Sequence, residues 1–151
     1  MAHPNAIVFD ETYYAKDAYS YLHYGYELNW TKEANGTFVA GSPSGLLTDS
    51  PEYVVHPPLG KWMIAAGMAI FGDNNPFGWR FSAALIGTLS VALVAYAAWL
   101  LFRSMTVATI AAILASVDGL MFVESRLELL DIFQMFWNLA TFVCMLLDRK
   151  Q

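Results

Sequence analysis

The sequence predicts an all-α membrane protein: an extracytoplasmic loop, an amphipathic helix lying at the interface, and three transmembrane helices. Two observations carry that prediction. The 151 residues are 57% hydrophobic and only 14% charged, with a mean hydropathy of +0.42, whereas a soluble domain is about 25% charged. The stretch from Phe81 to Phe102 holds 22 residues without a formal charge, enough to cross a hydrocarbon core of roughly 30 Å.

The elements follow in order. Residues 1–57 form a polar, aromatic-rich loop. Asp10 is placed to cap a short helix from about Glu11 to Tyr24, with Tyr14, Ala18, Tyr21 and Leu22 on one face. Turn formers dominate from Glu27 to Pro58, as in Asn35-Gly36, Gly41-Ser42-Pro43-Ser44-Gly45 and Ser50-Pro51. Residues 58–75 hold the interfacial helix and a turn. Leu59, Trp62, Met63, Ala66 and Ile70 make a helical stripe from Leu59 to Phe71, too short to span, with Lys61 in its first turn. Gly72-Asp73-Asn74-Asn75-Pro76 breaks it, and residues 76–151 carry spans at about 79–102, 106–123 and 127–147.

Loop charges set the orientation. Residues 1–57 carry seven acidic residues against Lys16 and Lys32, while Arg103 and Arg149-Lys150 lie at the opposite ends of the spans. The positive-inside rule puts those basic ends in the cytoplasm and the large loop outside. Arg80, the Glu124–Arg126 turn, Glu128 and Asp131 then fall at the outer face. Asp118, inside the second span, calls for a partner such as Arg126, or for protonation.

Several classes are excluded. The single Cys144 permits no intrachain disulfide. The opening Met-Ala-His-Pro-Asn has neither the basic region nor the apolar core of a signal peptide. There is no metal-spaced Cys/His cluster, glycine-rich phosphate loop, repeat or basic nucleic-acid patch. Asp10, Glu11, His56 and Asp131 have no spacing that specifies a metal, and no cofactor is expected. The sequons at Asn29 and Asn35 read as chance matches. A polar start and a close just after a helix suggest a piece of a larger protein.

Four motifs occur in order: Phe9-Asp10-Glu11, Val55-His56-Pro57-Pro58-Leu59-Gly60-Lys61, Gly78-Trp79-Arg80-Phe81 and Ser125-Arg126-Leu127-Glu128-Leu129-Leu130-Asp131. Together they resemble the amino-terminal third of the protein O-mannosyltransferases, most closely the actinobacterial type, from about Ile7 to Leu147. The resemblance implies part of a multi-spanning (GT-C) glycosyltransferase that uses a lipid-linked sugar. Its donor would be polyprenyl phosphate mannose and its acceptor the Ser or Thr hydroxyls of secreted proteins. The partners would be the bilayer and the remainder of the transferase or the export machinery, with no nucleic acid.

That chemistry asks for particular residue types. A Ser or Thr hydroxyl needs a base as its bond to the anomeric carbon forms. The resemblance puts that role on Asp10, with Glu11 orienting it; a plain helix N-cap at Asp10 explains the spacing equally well. The departing lipid phosphate gains charge, which cations stabilise. Arg80 is the first candidate for that contact, with Arg126, Lys61 and His56 as further substrate-binding residues. The bland alternatives are a snorkelling anchor at Arg80, an ion-pair network at Arg126 and a structural hydrogen bond at His56. Glu128 departs from the family pattern, which leads one to expect an apolar or small residue there, and a carboxylate beside Arg126 would compete for it. Three rival readings stay open: a truncated non-catalytic fragment, a lipid-linked-sugar transferase with another acceptor, and a channel or transporter subunit using Asp118 and Arg126.

Overall fold

The structure, a computed structural model, describes residues 6–7, 10–31, 34–41 and 47–149. Phe9 of the first motif, Lys32, Glu33, residues 42–45 of the turn-rich segment and Lys150 lie outside the described residues. The chain divides into two compact units, Met1–Ser82 with Leu127–Leu130, and Ala83–Arg126 with Asp131–Gln151.

In the first unit α1 runs Glu11–Tyr24, as the sequence predicts, and stops at Gly25, whose φ of 83° suits glycine. Its buried positions are Glu11, Ala15, Asp17, Ala18 and Ser20. Of the four residues predicted to share one face, only Ala18 is buried. Small side chains, not the tyrosines, face inward and let α1 lie against α3 (Leu59–Phe71).

The region read as a loop contains further structure. β1 (Leu28–Trp30) pairs antiparallel with β2 (Leu47–Pro51), Leu28 opposite Pro51 and Trp30 opposite Leu47. The Asn29 side-chain amide donates to the Pro51 carbonyl at 2.9 Å, and the Thr48 hydroxyl donates to the Asn29 carbonyl at 3.0 Å. The short α2 (Ala34–Val39) inserts Phe38 against Trp30 at 5.6 Å, Tyr19 at 5.9 Å and Trp79 at 5.4 Å between ring centroids. Strands this short carry too few alternations to be told from turns by period.

α3 has the predicted ends, and the face opposite the predicted apolar stripe packs inside the unit. Lys61, Ile64, Ala65, Gly67 and Met68 are buried, whereas Leu59, Trp62 and Ile70 of the predicted stripe are 47%, 52% and 71% exposed. A tight contact follows α3. A Cβ on Gly67 would stand 2.6 Å from the Ser82 Oγ and 2.7 Å from the Gly78 carbonyl oxygen, and one on Gly78 would meet the Gly72 carbonyl. The Ser82 hydroxyl donates to the Met63 carbonyl at 2.6 Å across the same contact.

α4 is Pro76–Phe102, 27 residues starting three before the predicted Trp79. A proline suits a first turn, where its missing N–H has no partner to lose. In the second unit α5 (Met105–Val117) and α6 (Gly119–Glu124) replace the single predicted span at 106–123. The break is Asp118, extended at φ −63° and ψ 122°, whose carboxylate accepts from the Met121 N–H at 2.8 Å. Asp118 is thus answered by a helix terminus and makes no ion pair to Arg126. At 1.5 Å per residue, the 13 residues of α5 rise about 20 Å, short of a hydrocarbon core of roughly 30 Å. Among the described residues two helices are long and apolar enough to cross a membrane, α4 and α7 (Leu130–Asp148). Ala97, Leu100 and Val143 form a small core in this unit with Leu93, Trp99 and Leu146 against it.

Candidate active site

The first unit holds a cleft of about 280 Å³ lined by Asp10, Tyr13, Tyr14, Asp17, Glu27, Glu52, Tyr53, Val55, His56 and Lys61. α1 supplies Asp10, Tyr13, Tyr14 and Asp17, a spacing that stacks one helix face. α3 supplies Lys61 from its first turn. His56 enters just before Pro57-Pro58, and its ring meets Tyr14 edge-on at 5.8 Å. Three of the six predicted site residues, Asp10, His56 and Lys61, therefore share one cavity.

Asp10 is half-buried at the N-cap position, but its carboxylate makes no capping hydrogen bond. Only its carbonyl is used there, accepting from the N–H of Tyr13 at 2.9 Å and of Tyr14 at 3.2 Å. The plain N-cap alternative thus explains its position but not its side chain.

Lys61 is 1% exposed and its ammonium reaches Asp17 at 2.8 Å and Glu27 at 2.7 Å. Burial pulls the Lys61 ammonium down, but the hydrogen bonds and charges of Asp17 and Glu27 outweigh it and hold it above its ordinary range. For Asp17 the balance tips the other way: burial pushes its carboxyl up more than Lys61 lowers it. The second Glu27 carboxylate oxygen, Oε2, is buried and has no hydrogen-bond partner among the described residues. Lys61 is built into the wall of the cleft.

Glu11 and Arg80 form a second buried pair. Arg80 is 1% exposed; its Nε donates to Glu11 Oε1 at 2.6 Å and its Nη2 to Glu11 Oε2 at 2.7 Å and to the Ala6 carbonyl at 2.7 Å. This is the two-pronged geometry that Arg and carboxylate favour. It ties the first residue of α1, next to Asp10, to α4. Glu128 lies in the same unit, fully buried, and its main-chain N–H donates to Glu11 Oε1 at 3.2 Å. The carboxylate expected beside Arg126 is buried near Glu11 and Arg80 instead, where burial and the Glu11 charge push it well up.

Arg126 belongs to the second unit, where its exposed guanidinium stands over the Phe122 ring at 4.6 Å. Among the described residues it makes no ion pair with Glu124, Asp118 or Asp131. Also among them, no three of His, Cys, Asp and Glu are arranged to hold a metal ion. Asp17, Glu27 and Glu52 are cleft residues that the sequence reading left out. Asp17 was reachable, seven residues beyond Asp10 on the same helix face; Glu27 and Glu52 come together only through the pairing of β1 with β2.

The whole chain, residues 1–151, matches the sequence profile of the family described as dolichyl-phosphate-mannose-protein mannosyltransferase. Three relatives bear the name polyprenol-phosphate-mannose–protein mannosyltransferase. That of Mycolicibacterium smegmatis is 39% identical over 146 residues, covering 95% of this chain and 24% of its own length. That of Mycobacterium tuberculosis is 41% identical over 147 residues, again 95% and 24%. The Corynebacterium glutamicum protein is 35% identical over 144 residues, 95% and 25%. This chain thus spans about a quarter of the length of each. No solved structure matches it significantly. A profile match over every residue, joined by relatives that align along 95% of the chain, makes this a member of the dolichyl-phosphate-mannose-protein mannosyltransferase family.

Proposed function

We propose that this chain forms part of a transferase that moves mannose from a polyprenyl phosphate to Ser or Thr hydroxyls of exported proteins. The observation that carries the reading is the cleft that brings Asp10 together with His56 and Lys61 in a chain of this family. Asp10 takes the hydroxyl proton as the oxygen bonds to the anomeric carbon, and the bond from that carbon to the phosphate oxygen breaks on the opposite face. Its carboxylate suits the task because it is half-open and spends nothing on capping α1. Glu11, held by Arg80, fixes the start of α1 and so the place of Asp10.

Of the four basic candidates, His56 and Arg126 keep their basic groups exposed and without an ion pair among the described residues. We assign His56, which lines the cleft with Asp10, to the phosphate, and give Arg80 and Lys61 the work of holding that cleft; Arg126 belongs to the other unit and is given no part in it.

The same proposal extends to the membrane. The outward face of α3, with Leu59, Trp62 and Ile70, lies at the interface, where Trp is favoured. α5 and α6 cross together as a third, broken span: their 20 residues from Met105 to Glu124 rise about 30 Å. Such breaks occur in membrane helices where the freed backbone groups are re-satisfied, here by Asp118. Residues 1–57 then lie outside and Arg103 and Arg149 inside.

The test is transfer of labelled mannose from polyprenyl phosphomannose to a Ser/Thr-rich peptide by membranes containing the transferase, with Asp10→Asn as the variant. Loss of about 10²-fold or more is expected for a removed general base, with unchanged far-ultraviolet circular dichroism. Transfer that survives Asp10→Asn would refute the assignment.

A further inference from the structure

Among the described residues, Glu128 is a buried ionisable group whose charge state the transferase reading does not use. It is 0% exposed, and both its carboxylate oxygens lack a hydrogen-bond partner among the described residues. The groups around it are Glu11 and Asp17 of α1 and Arg80 of α4. Two carboxyls thus share the surroundings of one guanidinium, and the donors are divided unequally. Glu11 receives Arg80 Nε at 2.6 Å, Arg80 Nη2 at 2.7 Å and the Glu128 main-chain N–H at 3.2 Å. Glu128 receives none.

A buried carboxylate without a donor takes up a proton rather than stay charged. With Glu11 ionised against Arg80, Asp17 paired with Lys61 and Glu128 neutral, each charged carboxylate around Glu128 faces a cation. With Glu128 ionised as well, two carboxylates would contend for one Arg80, and the second negative charge would be set against Glu11.

We propose that Glu128 is kept as a neutral carboxylic acid and that its neutrality keeps Glu11 locked on Arg80. Glu128 is a positioning residue: its main chain holds Glu11, and its side chain sets an alkaline limit on the lock between α1 and α4. The ligand of this site is a single proton. The inference stands on the geometry of the first unit and does not rest on the transferase reading.

Two measurements test it, on the chain in detergent micelles. In the infrared spectrum at pH 7, the wild type minus Glu128→Gln difference should contain the carbonyl stretch of a protonated carboxylic acid. In thermal unfolding followed from pH 5 to 9, the sign is set by linkage. The proton is bound when folded and lost when unfolded, so the contribution of Glu128 to stability is full below its ordinary value of 4.5 and is lost as pH rises towards its folded value. Relative to Glu128→Gln, the folding equilibrium of the wild type should therefore fall by up to tenfold per pH unit. Glu128→Leu, which removes the proton and keeps the volume apolar, should show the same flat reference and serves if the glutamine variant fails to fold. A wild-type-minus-variant difference spectrum without an acid band, or a stability gap that does not change with pH, overturns the proposal.

Discussion

Replacing Lys61 by methionine removes one cation from between two carboxylates and changes little else, because methionine is of similar length and apolar. In the wild type the ammonium lies 2.8 Å from Asp17 and 2.7 Å from Glu27, all three side chains being less than a tenth exposed. Without it, both carboxylates stay buried and uncompensated. Removing one partner of a buried ion pair typically costs about 3–5 kcal/mol, and for a chain of this size each kcal/mol moves the unfolding midpoint by about 2–4 °C. Lys61→Met is therefore expected to lower the midpoint by roughly 6–20 °C, read by tryptophan fluorescence in detergent. The triple variant Lys61→Met, Asp17→Asn, Glu27→Gln should recover most of that loss, because no charge is then left without a partner. The wild type should also show a decline at high pH that Lys61→Met lacks. Lys61 is held above its ordinary 10.5, so its contribution is full below that value and disappears as pH rises through the folded one. A midpoint shift under about 2 °C, or a triple variant no more stable than the single one, would refute the view that Lys61 is part of the wall.

Two glycines on helices should behave oppositely. Gly67→Ala places a methyl 2.6 Å from the Ser82 Oγ and 2.7 Å from the Gly78 carbonyl oxygen, and should destabilise by about 1–3 kcal/mol in the same unfolding assay. Gly36→Ala on α2 meets nothing within 4 Å and should be neutral or stabilising by up to about 1 kcal/mol. Asp118→Ala removes the only side chain seen capping α6 among the described residues, at 2.8 Å from the Met121 N–H. It should cost about 0.5–2 kcal/mol, while Asp118→Asn, which can still accept that bond, should cost less.

The sequence by itself determined α1, α3, α4 and α7 and their order. α1 at Glu11–Tyr24 and α3 at Leu59–Phe71 have the predicted ends, because capping and turn residues, Gly25 and Gly72 among them, act over a few neighbours. The apolar lengths of α4 and α7 were equally legible, since crossing a bilayer is a matter of length and composition. The motif residues also marked where the candidate site would lie, from Asp10 to His56 and Lys61.

Tertiary structure alone decided what those residues touch. A run apolar on both faces, such as α3, does not say which face is buried; that was settled by packing on α1. In the sequence Asp118 calls for a partner such as Arg126 or for a proton, and its role as a helix cap appears only where the backbone breaks. Arg80 and Lys61 are cations in a list of residues, but in the fold each is surrounded by carboxylates from distant segments, Glu11 for one, Asp17 and Glu27 for the other. Charge balance in a buried site depends on distances between groups 34 to 69 positions apart in the chain, and no local pattern encodes those distances.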